Sequence, residues 1–266
     1  MKHILVPIGT SPDAHQTLQY AIDFATEFSS KIFLMEVFSV SIGAGKALTN
    51  VTEKVAESGK ERLKEVIEKV DNKNVEIQIA SYNGDIVDGL KEIDKELGID
   101  LIIVAPRSND VSEEVYLGNT SGRIIKRTNI PTLIVPKGSP LKPLGTILTA
   151  FKSGVLKRKR ILNPLIEIKN KFDAKVNLLL VKTPGYTDED LQVNTALMDI
   201  SSQMTLAEAP TTYLGVLEHL QSQHPDILCV FRRKRGFFKK LWEKDTILKS
   251  EFSARIPVLV LSVKKD

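Results

Sequence analysis

LIIVAPRSNDVSEEVYLGNTSGRIIKRTNIPTLIVP, residues 101–136, contains the pattern that decides the fold. It begins with the apolar run Leu101–Val104 and ends with a second run, Pro131–Val135, and helical spacing between them predicts a helix near Asn119–Thr128. Short apolar runs bounded by turn residues are typical of strands buried on both faces of a sheet. The stretch ILCVFRRKRGFFKKLWEKDTILKSEFSARIPVLVL, residues 227–261, aligns with the first at an offset of 126, without a gap. The chain therefore contains the same unit twice.

The rest of the first half alternates strands with helices. The pair Ser11-Pro12 is typical of a helix start. A serine side chain can cap the helix, and proline suits the first position because the N–H group that it lacks would have no partner there. Gly98 is a typical helix stop. Further strands are predicted at Ile4–Ile8, Ile32–Val40 and Val75–Tyr82. Further helices are predicted from Ser11 to Phe28, from Thr49 or Asn50 to about Val70, and from Asp85 to Leu97.

The second half repeats this order. Strands are predicted at Ile147–Phe151, Val176–Val181, Met204–Ala209, Ile227–Phe231 and Pro257–Val263. Helices are predicted at Val155–Phe172 (broken or kinked at Pro164), at Asp188–Ser201, at Thr212–Gln223 and from beyond Phe231 to about Ser253.

This alternation predicts an α/β fold of two tandem doubly wound domains. Each has a mostly parallel five-stranded sheet flanked by helices, because strands separated by helices pair in parallel. The 266 residues also suit two domains of the usual size. The predicted boundaries are 1–137 for the first domain, 138–145 for a Pro- and Gly-rich linker and 146–266 for the second, shorter domain.

Composition excludes several classes of protein. With 42% hydrophobic and 26% charged residues, the chain is neither disordered nor a disulfide scaffold. The single cysteine, Cys229, cannot form an internal disulfide or a thiolate cluster, and no histidines stand at ligand spacing, so no metal site is expected. No apolar stretch approaches the roughly 20 residues of a membrane helix. We expect a cytoplasmic protein without a membrane span.

The strand and turn HILVPIGTS at residues 3–11, together with the two aligned stretches, resemble the universal stress protein family in its tandem two-domain form. The resemblance covers essentially the whole chain and implies a Rossmann-like fold related to the adenine nucleotide alpha hydrolases. It implies a stress-response role that works through binding, without catalytic residues. It also implies that the closing strands of the two halves pair as an intramolecular pseudo-dimer.

Family members that bind ATP resemble one another in a loop of the form G-x-x-G, nine residues, then G-S/T, and often in an Asp after the first strand. In the first half of this chain the glycine positions fall on Ala105, Ser108 and Gly118, and Asn119 takes the place of Ser or Thr. The Asp position falls on Gly9. Because glycines let backbone N–H groups approach phosphates, ordinary ATP binding is not expected. The candidate nucleotide-binding residues are Pro7, Gly9, Val37, Ala105, Ser108, Gly118, Asn119 and Thr120. The alternative is that Asn119, Thr120 and Ser121 only cap a helix.

In the second half the glycine positions fall on Phe231, Lys234 and Lys244, and the Asp position falls on Lys152. The bulk of Phe231 is expected to block a nucleotide. This half carries a net charge of +7 against −3 for residues 1–143, and a second basic run at 157–160 follows its first strand. This run and the basic run that begins at Arg232 are both expected near the carboxyl edge of the sheet, where they would form an anion-attracting cleft. The candidate anion-binding residues are Lys152, Arg232, Arg233, Lys234 and Lys244.

Two motifs leave alternatives open. The segment from Arg232 to Trp242 mixes cations with Phe237, Phe238 and Trp242, which suits an anion or nucleic-acid patch, a membrane-surface helix, or a helix that packs its aromatics on the sheet. We favour the last and expect no specific nucleic acid partner. Ser41–Lys46, SIGAGK, lacks the spacing of a phosphate loop and is interpreted as a flexible loop over the first cleft.

The sequence therefore favours a non-enzymatic, universal-stress-type binding protein without ordinary ATP binding. The first alternative is a sensor that binds ATP or AMP in the N-terminal half alone. A weak nucleotide hydrolase is the second, although no acidic pair for a metal lies at the loop. A protein partner and a further homodimer are left open.

Overall fold

Two five-stranded parallel sheets join edge to edge into one ten-stranded sheet. The computed structural model describes residues 1–9, 11–38, 47–106, 114–233, 246–249 and 252–263, and for 47–53 the backbone alone. In the first half the strand order is β3-β2-β1-β4-β6, and in the second it is β9-β8-β7-β10-β12. The N-terminal half contains β1 His3–Pro7, α1 Ala14–Phe28, β2 Lys31–Phe38, α2 Ala47–Glu68, β3 Ile77–Asn83, α3 Ile86–Leu97, β4 Leu101–Val104, β5 Val115–Leu117, α4 Asn119–Arg127 and β6 Thr132–Ile134.

The C-terminal half repeats the plan with shorter helices. It contains β7 Thr146–Phe151, a 3-10 helix Lys159–Leu162, α5 Asn163–Phe172, β8 Lys175–Lys182, α6 Asp188–Leu191, α7 Thr195–Ile200, β9 Gln203–Glu208, α8 Thr212–Gln223, β10 Ile227–Arg232, β11 Ile247–Leu248 and β12 Val258–Ser262. The predicted fold class is confirmed. The predicted domain boundaries stay a prediction: the last strand of the first half ends at Ile134 and the next strand begins at Thr146.

The closing strands of the two halves pair with each other. β6 and β12 run antiparallel, with Leu133 opposite Leu259 at the centre. Every other pairing in the large sheet is parallel. On one face α1 meets α5, where Phe28 and Phe172 lie 6.0 Å apart between ring centroids. The two halves therefore share a sheet and a helix contact.

Local sequence explains the helix boundaries of the first half. Leu18, Ala21, Ile22 and Ala25 form the buried stripe of α1. Asp85 caps α3 by accepting a hydrogen bond from the N–H of Val87, and Gly98 ends the helix with a φ of +65°. The predicted start of α1 was wrong, because Ser11 and Pro12 form a turn and the helix begins at Ala14.

Three predicted helices of the second half are wrong in detail. Residues 155–158 are not helical, and Pro164 lies in the first turn of α5, where it breaks nothing. The predicted helix at 188–201 is two short helices, since Thr187 caps the first and Asn194 caps the second. The helix predicted to reach Ser253 is absent from the described residues 246–249 and 252–254, where β11 lies instead.

A second, two-stranded sheet also crosses between the halves. β5 pairs antiparallel with β11, and the N–H of Lys249 donates to the carbonyl of Glu114 at 2.7 Å. Phe252 then packs between Tyr116 and Tyr213, each 4.9 Å away between ring centroids. This small sheet brings residues of the C-terminal half to the ligand side of the N-terminal half.

Candidate functional site

A large cleft lies at the carboxyl ends of the strands in the N-terminal half. It has a volume of about 1580 Å³ and is lined by the ends of β1, β2, β3 and β4 and by the start of α4. β1 lies between β2 and β4 in the sheet, so the connections on its two sides run in opposite directions. In doubly wound folds, ligands bind at this switch point.

Five of the eight candidate nucleotide-binding residues line this cleft. They are Pro7, Gly9, Val37, Ala105 and Thr120. Ser108 lies outside the described residues, as does the predicted loop Ser41–Lys46. Gly118 and Asn119 are not part of the lining, and Gly118 is buried with its N–H donating to the carbonyl of Pro106 at 2.9 Å. Gly118 thus holds the loop that precedes α4 and does not itself face a ligand.

The sequence allowed Asn119, Thr120 and Ser121 to cap α4, but the structure shows no side-chain cap there. The capping position is Gly118, and no side chain makes the cap hydrogen bond. Ser121 donates instead to the carbonyl of Ala105, at 2.8 Å. This bond ties α4 to the end of β4 and leaves the first turn of the helix, including Thr120, on the wall of the cleft.

An ion pair that the sequence did not predict lies at the edge of the cleft. Asp85, at the end of β3, pairs with Arg123 of α4. The hydrogen bond from Arg123 is the main reason why the pKa of Asp85 is below its usual value, and the N–H of Val87 adds to it. The only sequence signal was the position of Asp85 as a helix cap. Its partner is 38 residues away in the chain.

Replacing Asp85 with alanine is expected to lower the free energy of unfolding by about 1 kcal/mol at neutral pH, because α3 loses its cap. Since the pKa of Asp85 is lowered by folding, its contribution is complete above the ordinary Asp value of about 4 and is lost as the pH falls through the folded-state pKa. Urea denaturation at about pH 7 and about pH 3 measures both effects. The matched control is Asp88→Ala, in the same turn. A stability gap that does not narrow on acidification would contradict this prediction.

Residues of the linker and of the C-terminal half also line the cleft. The linker contributes Pro136 to Pro140 and Lys142, and the C-terminal half contributes Lys249, Ser253, Ala254 and Arg255. Tyr116, on β5, lines the cleft from the same side. The sequence gave no sign of these residues, because their position depends on the pairing of β5 with β11.

In the C-terminal half, the chain that follows β8 packs against the loop that follows β7. The N–H of Gly154 donates to the carbonyl of Asp190 at 3.2 Å, and the N–H of Asn194 donates to the carbonyl of Gly154 at 3.0 Å. A Cβ on Gly154 would lie 2.6 Å from the Cα of Val193. The segment 183–194, which follows β8, therefore packs directly on the loop that follows β7.

The candidate anion-binding residues have separate environments. Lys234 and Lys244 lie outside the described residues, with Phe237, Phe238 and Trp242. Lys152 is half-buried, and its charge helps to lower the pKa of Asp190; burial works against this shift, while bonds from Thr187 and Ser153 favour it. Arg233 donates to the carbonyl of Val155 at 2.6 Å, and burial lowers its pKa. Phe231, expected to block a nucleotide, is buried in the core.

The environment of Arg232 differs most from the exposed, anion-binding one that the sequence predicted. Its side chain is 3% exposed and donates to the carbonyls of Ile125 and Lys126 at 2.7 and 2.6 Å. It also donates to Asn129, at 2.7 Å, and to Ser262. Ile125, Lys126 and Asn129 lie at or just beyond the end of α4, in the other half of the chain. Ser262 lies on β12, in the same half as Arg232. Arg232 is therefore a link between the halves, and its guanidinium is not available to a ligand.

The predicted cleft of cations stays a prediction, because most of the first basic run lies outside the described residues. Arg158 and Arg160 line a small cleft of about 340 Å³ near the amino ends of β1 and β4. The walls of this cleft also include the carboxylates Asp100 and Glu167. Arg232 is not part of them. Its partners Asn129 and Ser262 do line the cleft.

The described part of the chain shows neither a group of metal ligands nor an accessible thiol. Within it, no three His, Cys, Asp or Glu side chains are grouped to hold a metal ion. Cys229 is fully buried on β10, and burial raises the pKa of its thiol to about 12. Among the described residues, no helix combines the length and the apolar character needed to cross a bilayer.

The fold defines a doubly wound α/β protein with an open cleft at its switch point. The profile of the universal stress protein family matches residues 1–136, and the chain belongs to that family. A universal stress protein of Methanocaldococcus jannaschii, MJ0531, is 26% identical over 140 residues, which are 51% of this chain and 82% of that protein. Universal stress protein YxiE of Bacillus subtilis is 24% identical over 143 residues, 50% of this chain and 97% of that protein.

Solved structures extend the likeness of fold to the whole chain. A universal stress protein from Archaeoglobus fulgidus superposes with a TM-score of 0.71 at 15% identity, covering 98% of both chains. A functionally unknown protein from Pseudomonas aeruginosa superposes with a TM-score of 0.56 at 15% identity, covering 99% of this chain and 93% of the other. The tandem arrangement is therefore shared by proteins of very different sequence.

Proposed function

We propose that this protein acts in the stress response by binding one nucleotide-sized ligand per chain, in the cleft of the N-terminal half, without turning it over. The observation that carries the proposal is the contrast between the halves. The N-terminal cleft is open, with a volume of about 1580 Å³, whereas in the C-terminal half segment 183–194 packs on the loop that follows β7. Pairing of β6 with β12 supports the proposal that the chain is an intramolecular pseudo-dimer.

An adenine nucleotide such as ATP or AMP fits this cleft in a pose that differs from the ordinary one. The start of α4 has glycine at its cap, so no side chain there satisfies the first N–H groups of the helix, and an anion would satisfy them. Ala105 replaces a loop glycine on the cleft wall. A phosphate therefore lies farther from the backbone at this point than a glycine would allow.

Replacing Thr120 with tryptophan is expected to abolish nucleotide binding, because the bulky ring projects from the first turn of α4 into the cleft. Isothermal titration with ATP, ADP and AMP in the presence of Mg²⁺ measures the affinity and the stoichiometry. We expect one site per chain in the unmodified protein. Ser222→Trp, on the exposed face of α8, is the control for adding a tryptophan. Absence of binding down to millimolar affinity, or two sites per chain, would contradict the proposal.

A protein-binding function without nucleotide is the second candidate. β9 is an edge strand of the large sheet, and Met204 and Leu206 on it are 37% and 56% exposed. Exposed apolar side chains on an unpaired edge favour association with another chain. The titration separates the two candidates, since the second predicts no heat with any nucleotide.

A further inference from the structure

The C-terminal half takes part in the open cleft through a segment that is anchored on both sides. Residues 247 and 248 form β11, which pairs with β5 of the N-terminal half, and the described chain resumes at Phe252. Phe252 is 2% exposed and contacts Tyr116 and Tyr213. The N–H of Ser253 donates to the hydroxyl of Tyr213 at 3.1 Å. Lys249 and Arg255 thus project from a backbone fixed beside the cleft, and both side chains lie at its wall.

Among the described residues that line the cleft, cations outnumber carboxylates. Its wall carries five cationic side chains and two carboxylates: Arg123, Lys137, Lys142, Lys249 and Arg255 against Asp13 and Asp85. Asp85 pairs with Arg123, and Asp13 pairs with Lys137 at 2.6 Å. In the described part of the chain, no carboxylate pairs with the other three cations. We refer to Lys142, Lys249 and Arg255 as the cationic wall.

A buried hydroxyl on the same side also lacks a partner. Tyr116 is 5% exposed, and its hydroxyl has no hydrogen-bond partner among the described residues. Burial raises the pKa of Tyr116, with a smaller effect from Tyr213, so the hydroxyl keeps its proton and can donate. Because an unsatisfied buried hydroxyl is costly, it points to an acceptor that the described part of the chain does not supply.

We infer that the cationic wall and the Tyr116 hydroxyl bind the phosphate chain of a nucleoside di- or triphosphate, so that Lys249 and Arg255 of the C-terminal half complete the N-terminal site. These cations replace donors that the loop loses with its glycines. The inference rests on the proposed function and narrows its ligand to a polyphosphate. Three unpaired cations suit three or four phosphate charges better than the single phosphate of AMP.

The test compares ligands with and without a phosphate chain. Titrations of ATP, AMP, adenosine and inorganic tripolyphosphate are made with the unmodified protein and with Lys249→Ala/Arg255→Ala. We expect the affinity for ATP and tripolyphosphate to fall about 10- to 100-fold in the double variant, and that for adenosine to change less than about threefold. Lys64→Ala/Lys69→Ala, at exposed positions on α2 and just beyond its end, removes the same charge away from the cleft. Tyr116→Phe keeps the ring and is expected to weaken ATP binding severalfold.

The outcomes separate this inference from the proposed function. If ATP and adenosine bind and Thr120→Trp abolishes both, but the double variant keeps its ATP affinity, the polyphosphate inference fails and the proposed function stands. If both double variants lose ATP affinity equally, the effect is one of net charge and the inference also fails. If tripolyphosphate alone binds and only the cationic-wall variant loses it, the inference stands as an anion site and the nucleotide function fails. Binding of no probe overturns both.

Discussion

Replacing Arg232 with alanine is expected to lower the free energy of unfolding by about 3–5 kcal/mol, because the change leaves buried acceptors without a donor. The guanidinium of Arg232 donates to two carbonyls at the end of α4, to Asn129 and to Ser262. Cations also stabilise the carbonyl end of a helix through its dipole. Since Arg232 lies on β10 and α4 belongs to the other half, the loss falls on the contact between the halves.

Guanidinium chloride denaturation of the whole chain measures this effect. The control is Arg233→Ala, which removes the neighbouring guanidinium together with its hydrogen bond to the carbonyl of Val155. We expect a smaller loss for that control. Arg232→Lys is expected to recover part of the stability, since an ammonium group reaches fewer of the four acceptors. An Arg232→Ala variant no less stable than Arg233→Ala would show that the link between the halves is dispensable.

The strands of this protein were predictable because most of them are continuous apolar runs. Parallel strands covered on both faces must be apolar at every position, and β4 and β10 are buried along their whole length. The helix ends at Asp85 and Gly98 were predictable for the same local reason, since capping chemistry involves only adjacent residues.

The predictions that were wrong concern residues whose partners lie far away in the sequence. Residues 247–248 were predicted as helix by analogy with the first half, yet they pair with β5, some 130 positions earlier in the chain. The charge of Arg232 suggested a ligand, although its partners lie in α4 and were not visible in the local sequence. Lys249, Arg255 and Tyr116 meet at one cleft only because β6 and β12 join the two sheets. The local sequence pattern therefore could not predict the cleft residues that come from the other half of the chain.

Replacing Arg62 with alanine is expected to cost about 3–5 kcal/mol as well, because it leaves a buried carboxylate unpaired. Glu36 lies on β2, directly before the cleft residue Val37, and is 3% exposed. Its carboxylate pairs with Arg62 of α2. One turn earlier in α2, a Cβ at Gly59 would collide with that carboxylate. Gly59 thus leaves space for the carboxylate of Glu36, and Arg62 supplies the opposite charge.

A double-mutant cycle tests whether the pair acts as a unit. Glu36→Gln in the Arg62→Ala background is expected to recover part of the stability, since a neutral amide is less costly to bury than an unpaired charge. Lys31→Ala is the control, because Lys31 and Glu76 form an exposed pair at 2.8 Å whose loss is expected to leave the denaturation midpoint unchanged. If Arg62→Ala behaves like Lys31→Ala, or if the two substitutions in the cycle are additive, Glu36 does not depend on Arg62. A positive result would establish that this pair fixes α2 on β2 beside the wall of the ligand cleft.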